Sequence, residues 1–319
     1  MPARLRPIAP ADLPAVHALC RAIESADGLP LATPLEELHD WLRDPHLDLG
    51  SDTRLAEVEG RPVAWGRIWH RPSGVREERA FMLGGVAPDQ RGRGVGSLLL
   101  GWQLERATAI LRAARGSLPR HVRAQAYDFQ AASLRLFERH GLRAVRWNLE
   151  MVRDLAQAPA LPEPFEPDGV RIAPWGVAHS EAARLAENEA FGDHWGSAPL
   201  DRAAWEHDLA AFGKRLDLSF LALEGDRVVG VCRNAHYLGD GAVTGRRDGW
   251  IERVSVLRSR RGRGIATALI ARSLRAFRDA GFTHSALGVD RDNPTGAFPL
   301  YERLGYRPRS CVVVHQVAV

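Results

Sequence analysis

The stretch Val256-Leu257-Arg258-Ser259-Arg260-Arg261-Gly262-Arg263-Gly264-Ile265-Ala266 follows a strand-like run, Trp250 to Leu257. It precedes apolar residues at helical spacing, Ala268, Leu269, Leu274 and Phe277. The same arrangement stands 170 positions earlier, counted from Arg91 to Arg261, as Val86-Ala87-Pro88-Asp89-Gln90-Arg91-Gly92-Arg93-Gly94-Val95-Gly96. There the strand-like run is Ala80 to Val86, and Leu98, Leu99, Trp102 and Ala109 carry the helical period. A strand that enters such a turn and leaves as a helix has a physical use. Glycine lets the backbone approach a ligand closely. The first helical N–H groups point outward and the macrodipole favours an anion. Arg91, Arg93, Arg261 and Arg263 add positive charge. Arg91–Gly96 and Arg261–Ala266 therefore read as diphosphate cradles. For either copy alone, a plain turn with solvated arginines is the bland alternative. No Gly-Lys-Ser/Thr follows, which excludes a Walker P-loop, and the third glycine of a dinucleotide fingerprint is missing.

A second correspondence follows each helix. Asp128 to Gly141 aligns without a gap to Asp292 to Gly305, so Phe129 stands for Asn293 and Phe137 for Tyr301. The interval from Gly94 to Gly141 is 47 and from Gly264 to Gly305 is 41. The surplus in the first copy is expected in Gly116-Ser117-Leu118-Pro119. Two ordered correspondences identify a tandem duplication. The chain divides into a first domain over 1–155, a Pro-rich linker over 156–168 and a second domain over 169–319. Pro159, Pro162, Pro164 and Pro167 make that linker read as stiff and extended. Each half has the order strand, two helices, strand pair, motif strand, long helix, strand, short helix and last strand. The fold class is α/β in the mixed, α+β sense.

Composition narrows the function. At 319 residues, 45% hydrophobic and 26% charged, the chain has room for two soluble cores. No apolar run is long enough for a membrane span and no secretory leader is legible, so the cytoplasm is expected. Cys20, Cys232 and Cys311 lie too far apart for a metal pair, and twelve histidines include no HExxH, so no metal is expected. The net charge of +4 is carried by dispersed arginines, Lys214 being the sole lysine, so nucleic acid is not an expected partner.

Arg-x-x-Gly-x-Gly/Ala after a strand, with Asn-x7-Tyr-Glu-x2-Gly downstream, resembles the GNAT superfamily of N-acetyltransferases. The resemblance covers both halves and is of the tandem two-domain type with a mycothiol-synthase-like architecture. It implies two GNAT-like domains, each a splayed mixed β-sheet flanked by helices. It also implies acetyl-CoA beside the motif strand, bordered by Val254 and Val256, with its diphosphate on Arg261, Gly262, Arg263, Gly264 and Ala266. Asn293 then matches the residue that meets the pantetheine arm, or else caps its own helix. Tyr301 matches the donor beside the sulfur, and a phenol of pKa about 10 remains protonated at pH 7. The Val254 N–H matches the oxyanion donor.

Glu252 is the candidate base. Strict alternation puts it on one strand face with Trp250, Val254 and Val256. The family's more frequent glutamate position is Trp250 in this chain, so Glu252 is displaced by two residues. Pairing with a neighbouring arginine is the alternative use of this acid, and Asp248 is the reserve base. The acceptor is expected near Asp193, His194 and Trp195, a segment that reads equally as a capped loop with a packed tryptophan.

In the first copy the base and donor positions hold Met82 and Phe137. Arg91, Gly92, Gly94 and Gly96 retain the cradle, so a degenerate domain that still binds CoA is expected. The function that follows is acetyl transfer to a primary amine of a small molecule, with one active site in the second domain. The alternatives are a protein amine as acceptor and a non-catalytic acyl-CoA-binding or regulatory module.

Overall fold

The computed structural model describes residues 3–157, 159–192, 194–293 and 296–319. Two compact units emerge, Met1–Trp147 with Val312–Val319, and Asn148–Cys311.

The first unit begins β1 (Arg4–Arg6), α1 (Leu13–Asp27), α2 (Leu35–Leu42), α3 (Leu49–Asp52), β2 (Thr53–Val58), β3 (Arg61–His70) and β4 (Glu78–Val86). It continues through α4 (Val95–Ala113), β5 (Arg120–Tyr127), α5 (Ala131–Arg139) and the start of β6 (Arg143–Asp154). Strands β1 to β4 pair antiparallel in sequence order, while β4 and β5 run parallel. The outer neighbour of β5 comes from the far end of the chain, with Val312 opposite Tyr127 and Ala318 opposite His121.

The second unit repeats the pattern. Its elements are β7 (Arg171–Pro174), α6 (Ser180–Ala190), α7 (Arg202–Ala210), β8 (Phe220–Glu224), β9 (Arg227–Ala235), α8 (Asp240–Thr244) and β10 (Asp248–Val256). Then come α9 (Ile265–Asp279), β11 (His284–Asp290), α10 (Ala297–Arg303) and β12 (Arg307–Ala318). Strands β7 to β10 are antiparallel, β10 and β11 parallel, and β11 pairs with the second part of β6, Asn148 to Asp154.

The compact units thus differ from halves cut at 155 and 169. The second part of β6 completes the sheet of the second unit, and the second part of β12 completes that of the first. Duplicated strands present equivalent backbone edges, so hydropathy cannot say which copy satisfies an open edge. The Pro-rich segment also belongs to the second unit. Leu161 is buried in that unit's core, and the Arg263 guanidinium donates to the Asp168 carbonyl at 2.6 Å. Ala158, inside this segment, lies outside the described residues. The surplus of the first copy is mostly helical, because α4 has 19 residues where α9 has 15.

Core packing fixes the elements that carry the turns. Helix α9 buries Ile265, Ala268, Leu269, Leu274 and Phe277, the helical-period residues of the sequence together with the first residue after the turn. Gly249 in β10 lets the Phe277 ring lie against the strand, since an added Cβ would meet that ring at 2.5 Å. Among the described residues no helix is long and apolar enough to cross a membrane.

A chain ending at Cys311 removes the strand opposite His121–Tyr127. It leaves that edge of β5 bare, so the melting temperature should fall and light scattering on heating should rise. An unchanged melting temperature would show that the terminal strand is dispensable.

Candidate active site

Strands β10 and β11 pair only from Asp248/His284 to Ile251/Leu287 and then part. Beyond that point β10 stays on β9, with Val254 opposite Cys232 and Val256 opposite Gly230, while β11 stays on β6. A cavity of about 580 Å³ opens in the second unit, bordered by Ile251 to Val256 on one strand and Gly288 to Asp290 on the other.

The cradle turn lies at this cavity. Gly262 and Gly264 both have φ +78°, a conformation that a side chain strains. Gly264 is the N-cap of α9 and supplies no capping side chain, so the first-turn N–H groups of Ile265, Ala266 and Thr267 receive no side-chain cap. All three residues line the cavity, as do Arg261, Gly262 and Gly264. Arg261 donates to the Ala190 carbonyl at 2.8 Å and to the Val256 carbonyl at 3.3 Å. Arg263 does not line it. Its guanidinium turns to Glu224, 3.4 Å away, and to the Asp168 carbonyl, 2.6 Å away.

Tyr301 on α10 reaches the cavity from the core. Burial, and after it the nearby Cys232 thiol, push its phenol well above the ordinary tyrosine range, so it is a held proton. Among the described residues its hydroxyl has no hydrogen-bond partner. Asn293 also lines the cavity and does not cap α10, whose N-cap is Gly296. His194 and Trp195 border the cavity with Phe191, and His194 Nδ1 lies 3.0 Å from the Ser197 hydroxyl. Asp193 lies outside the described residues.

Glu252 reaches the cavity by a route that alternation did not anticipate. The β9–β10 register slips between Ile251 and Arg253, so Glu252 is the extra residue of a bulge. A bulge re-aims the side chains beside it. The Glu252 carboxylate meets Lys214 Nζ at 2.8 and 2.7 Å and accepts from the Tyr237 hydroxyl. Its neighbour Arg253 lies against Glu187, with Nε 3.3 Å from Oε1. The expected arginine partner is thus a lysine. Asp248, the reserve base, is buried against Arg246 at 2.7 Å and does not line the cavity.

Sequence reasoning missed the network behind Glu252. Arg233 forms two hydrogen bonds to Glu187, at 2.9 and 2.8 Å, and donates to Asp208. Lys214 Nζ lies 3.3 Å from Asp208. Lys214 is placed by Gly213, where an added Cβ would meet the His236 carbonyl at 2.8 Å. The one available signal was that this sole lysine is followed by a strand pair and the motif strand. Burial alone would raise the Asp208 pKa, but Arg233, Lys214 and Arg253 outweigh it and hold it below the usual carboxylate range.

The first unit keeps the turn with different surroundings. Gly92 and Gly94 have φ +73° and +83°. Arg91 is held by Asp27 at 2.6 Å, and the other Asp27 oxygen accepts from Gln130 at 2.9 Å. The Ile23 side chain comes within 2.8 Å of where a Gly85 Cβ would stand, and that of Leu136 within 3.3 Å for Gly96. Among the described residues no three His, Cys, Asp or Glu side chains gather as a metal site.

Comparison with known proteins agrees with this geometry. The sequence model of the acetyltransferase (GNAT) family matches residues 17–142 and 181–306. A mycothiol acetyltransferase of Nocardiopsis dassonvillei is 33% identical over 91% of this chain and 88% of its own length. Another, of Geodermatophilus obscurus, is 30% identical over 93% and 91%. The crystal structure of a GCN5-related N-acetyltransferase from Sphaerobacter thermophilus superposes with TM-score 0.76 at 31% identity, covering 99% of this chain and 95% of that one. A tandem GNAT protein from the clavulanic acid biosynthesis pathway shares the fold, with TM-score 0.73 at 16% identity over 99% and 98%.

The ion network makes a pH prediction. Native Asp208 keeps its charge to lower pH than it does unfolded, so its contribution is complete above about pH 4 and fades as the pH falls further. Asp208→Asn should therefore be less stable than the parent at pH 6 in urea melts, with the gap shrinking below pH 4. A gap independent of pH would contradict the ionic role.

Proposed function

The chain belongs to the acetyltransferase (GNAT) family, and from that premise we propose that its second unit is an acetyl-CoA-dependent N-acetyltransferase for a small primary amine. The observation that carries this reading is Tyr301: a buried, protonated phenol that shares one cavity with the anion-binding turn and the Glu252 carboxylate. The residues fit the cosubstrate. The turn Arg261–Ala266 would hold its diphosphate, and the first turn of α9 offers N–H groups to it. Asn293, Val254 and Val256 would border the pantetheine arm. Acetyl-CoA supplies the acyl group as a thioester.

The chain's own groups then divide the work. An ammonium has no lone pair, so the amine must lose a proton, and Glu252 takes it directly or through water. Lys214 and Tyr237 fix the carboxylate in place. The Val254 N–H supports the carbonyl oxygen as it gains charge. Tyr301 gives its proton to the departing sulfur. Phe191, His194 and Trp195 wall the acceptor side. Relatives carry the name mycothiol acetyltransferase, so compounds related to mycothiol belong among the acceptors to try. In the first unit Met82 and Phe137 offer neither base nor donor, so we assign it no turnover.

Tyr301→Phe should lower kcat on the order of 10²-fold with the acetyl-CoA KM nearly unchanged, because its hydroxyl acts as charge develops on sulfur. Wild-type kcat in that variant would sink the donor role. Gly264→Asp should weaken acetyl-CoA binding tenfold or more, about 1.4 kcal/mol, by calorimetry. Gly94→Asp should leave kcat within about a few-fold, since the chemistry is assigned to the other unit. Loss of activity there, with normal melting, would refute the single-site reading. Binding of acetyl-CoA without turnover of any amine would leave a binding module instead.

A further inference from the structure

Arg253 borders the cavity beside Glu252 and is not consumed by the ion network behind it. Its Nε lies 3.3 Å from Glu187, but the Glu187 carboxylate already takes two shorter bonds from Arg233. Its guanidinium carbon sits over the Phe191 ring, 4.4 Å from the centroid, so an aromatic face holds the cation in place. Among the described residues neither terminal nitrogen of this guanidinium donates to the protein, and the side chain keeps 31% exposure. In the first unit the register partner of Arg67 is Leu83, where Arg233 has Arg253. The fork is thus a feature of the copy with the open cavity.

We propose that the acceptor carries a carboxylate as well as its amine, and that Arg253 binds that carboxylate; the proposal rests on the acetyltransfer reading above. A planar fork whose two terminal nitrogens have no acceptor among the described residues matches a carboxylate edge in a bidentate pair. One guanidinium, partly balanced by Glu187, suits a monoanion rather than a doubly charged phosphate. The charge balance agrees. Lys214, Arg233 and Arg253 offset Glu187, Asp208 and Glu252, so this set, of which Glu252 and Arg253 border the cavity, brings no net charge to it. A lone ammonium entering it would be an uncompensated cation away from water, which is costly. An acceptor that brings both charges enters neutral, with its amine toward Glu252 and its carboxylate on Arg253.

The test uses the full chain, acetyl-CoA and a panel of α- and ω-amino acids, each beside its carboxamide, with CoA thiol release as readout. A preferred acid should exceed its carboxamide in kcat/KM by about tenfold or more. Arg253→Met should abolish that preference chiefly by raising the KM of the acid, on the order of 10²-fold, while the acetyl-CoA KM stays within about twofold. Arg253→Lys, which keeps the charge without the fork, should fall between. If Arg253→Met does not fold, the parent's preference and the lysine variant still decide. Carboxamides or simple amines acetylated as well as acids would overturn the carboxylate proposal and leave the acetyltransfer reading standing. A raised acetyl-CoA KM in Arg253→Met would reassign Arg253 to the cosubstrate. No acetylation of any amine would overturn both.

Discussion

Parallel pairing between β10 and β11 ends at Ile251 and Leu287, and the cavity of the second unit depends on that parting. A sheet that stayed paired would close the backbone groups of Val254 and Val256 against a neighbour. Because the strands separate, β10 keeps one edge on β9 and turns the other into a cavity. The helix that follows the cradle turn opens at the same cavity. The bulge at Glu252 falls at this parting, and two consecutive side chains, Glu252 and Arg253, border the cavity.

Behind that wall stands a compact set of ion pairs. Glu187 and Arg233 are almost fully buried, so each would be costly alone. Together with Asp208, Lys214 and Glu252 they pair with one another and tie α6, α7, β9 and the segment before β8 to the motif strand, with Arg253 at the edge of the set. Such a network holds the Glu252 carboxylate in one position, which a solvated glutamate on a flexible strand could not do. Lys214 owes its place to backbone packing at Gly213 rather than to any pattern of charge along the sequence.

The duplicated unit shows what the same fold does without that set. Arg67 stands where Arg233 does in the register, yet its guanidinium rests over the Trp41 ring at 4.2 Å instead of between carboxylates. Gly84 and Gly85 replace Val254 and Ser255 at the parting of the strands. Gly84 lies so close to Trp65 that a Cβ would meet its carbonyl at 2.3 Å, and Ile23 covers Gly85. Asp27 then supplies an anion to Arg91 from within the chain. The glycine-rich turn survives as geometry, while its Arg91 is paired within the unit.

The sequence by itself determined the duplication, the α/β fold class, the main succession of strands and helices and the two glycine-rich turns. These depend on local rules: helical and strand periods, glycine where φ must be positive, and a repeat that aligns without a gap. It did not determine which copy's last strand closes which sheet, because equivalent edges accept equivalent strands. Nor did it determine the outward turn of Arg263, the bulge that re-aims Glu252, or the pairing of that carboxylate with Lys214 across 38 positions of chain. Alternation presumes an unbroken register, and only tertiary packing decides where a register slips. Which acid meets which base follows from what the folded strands and helices bring within hydrogen-bond distance, and charge spacing along the chain carries no record of it.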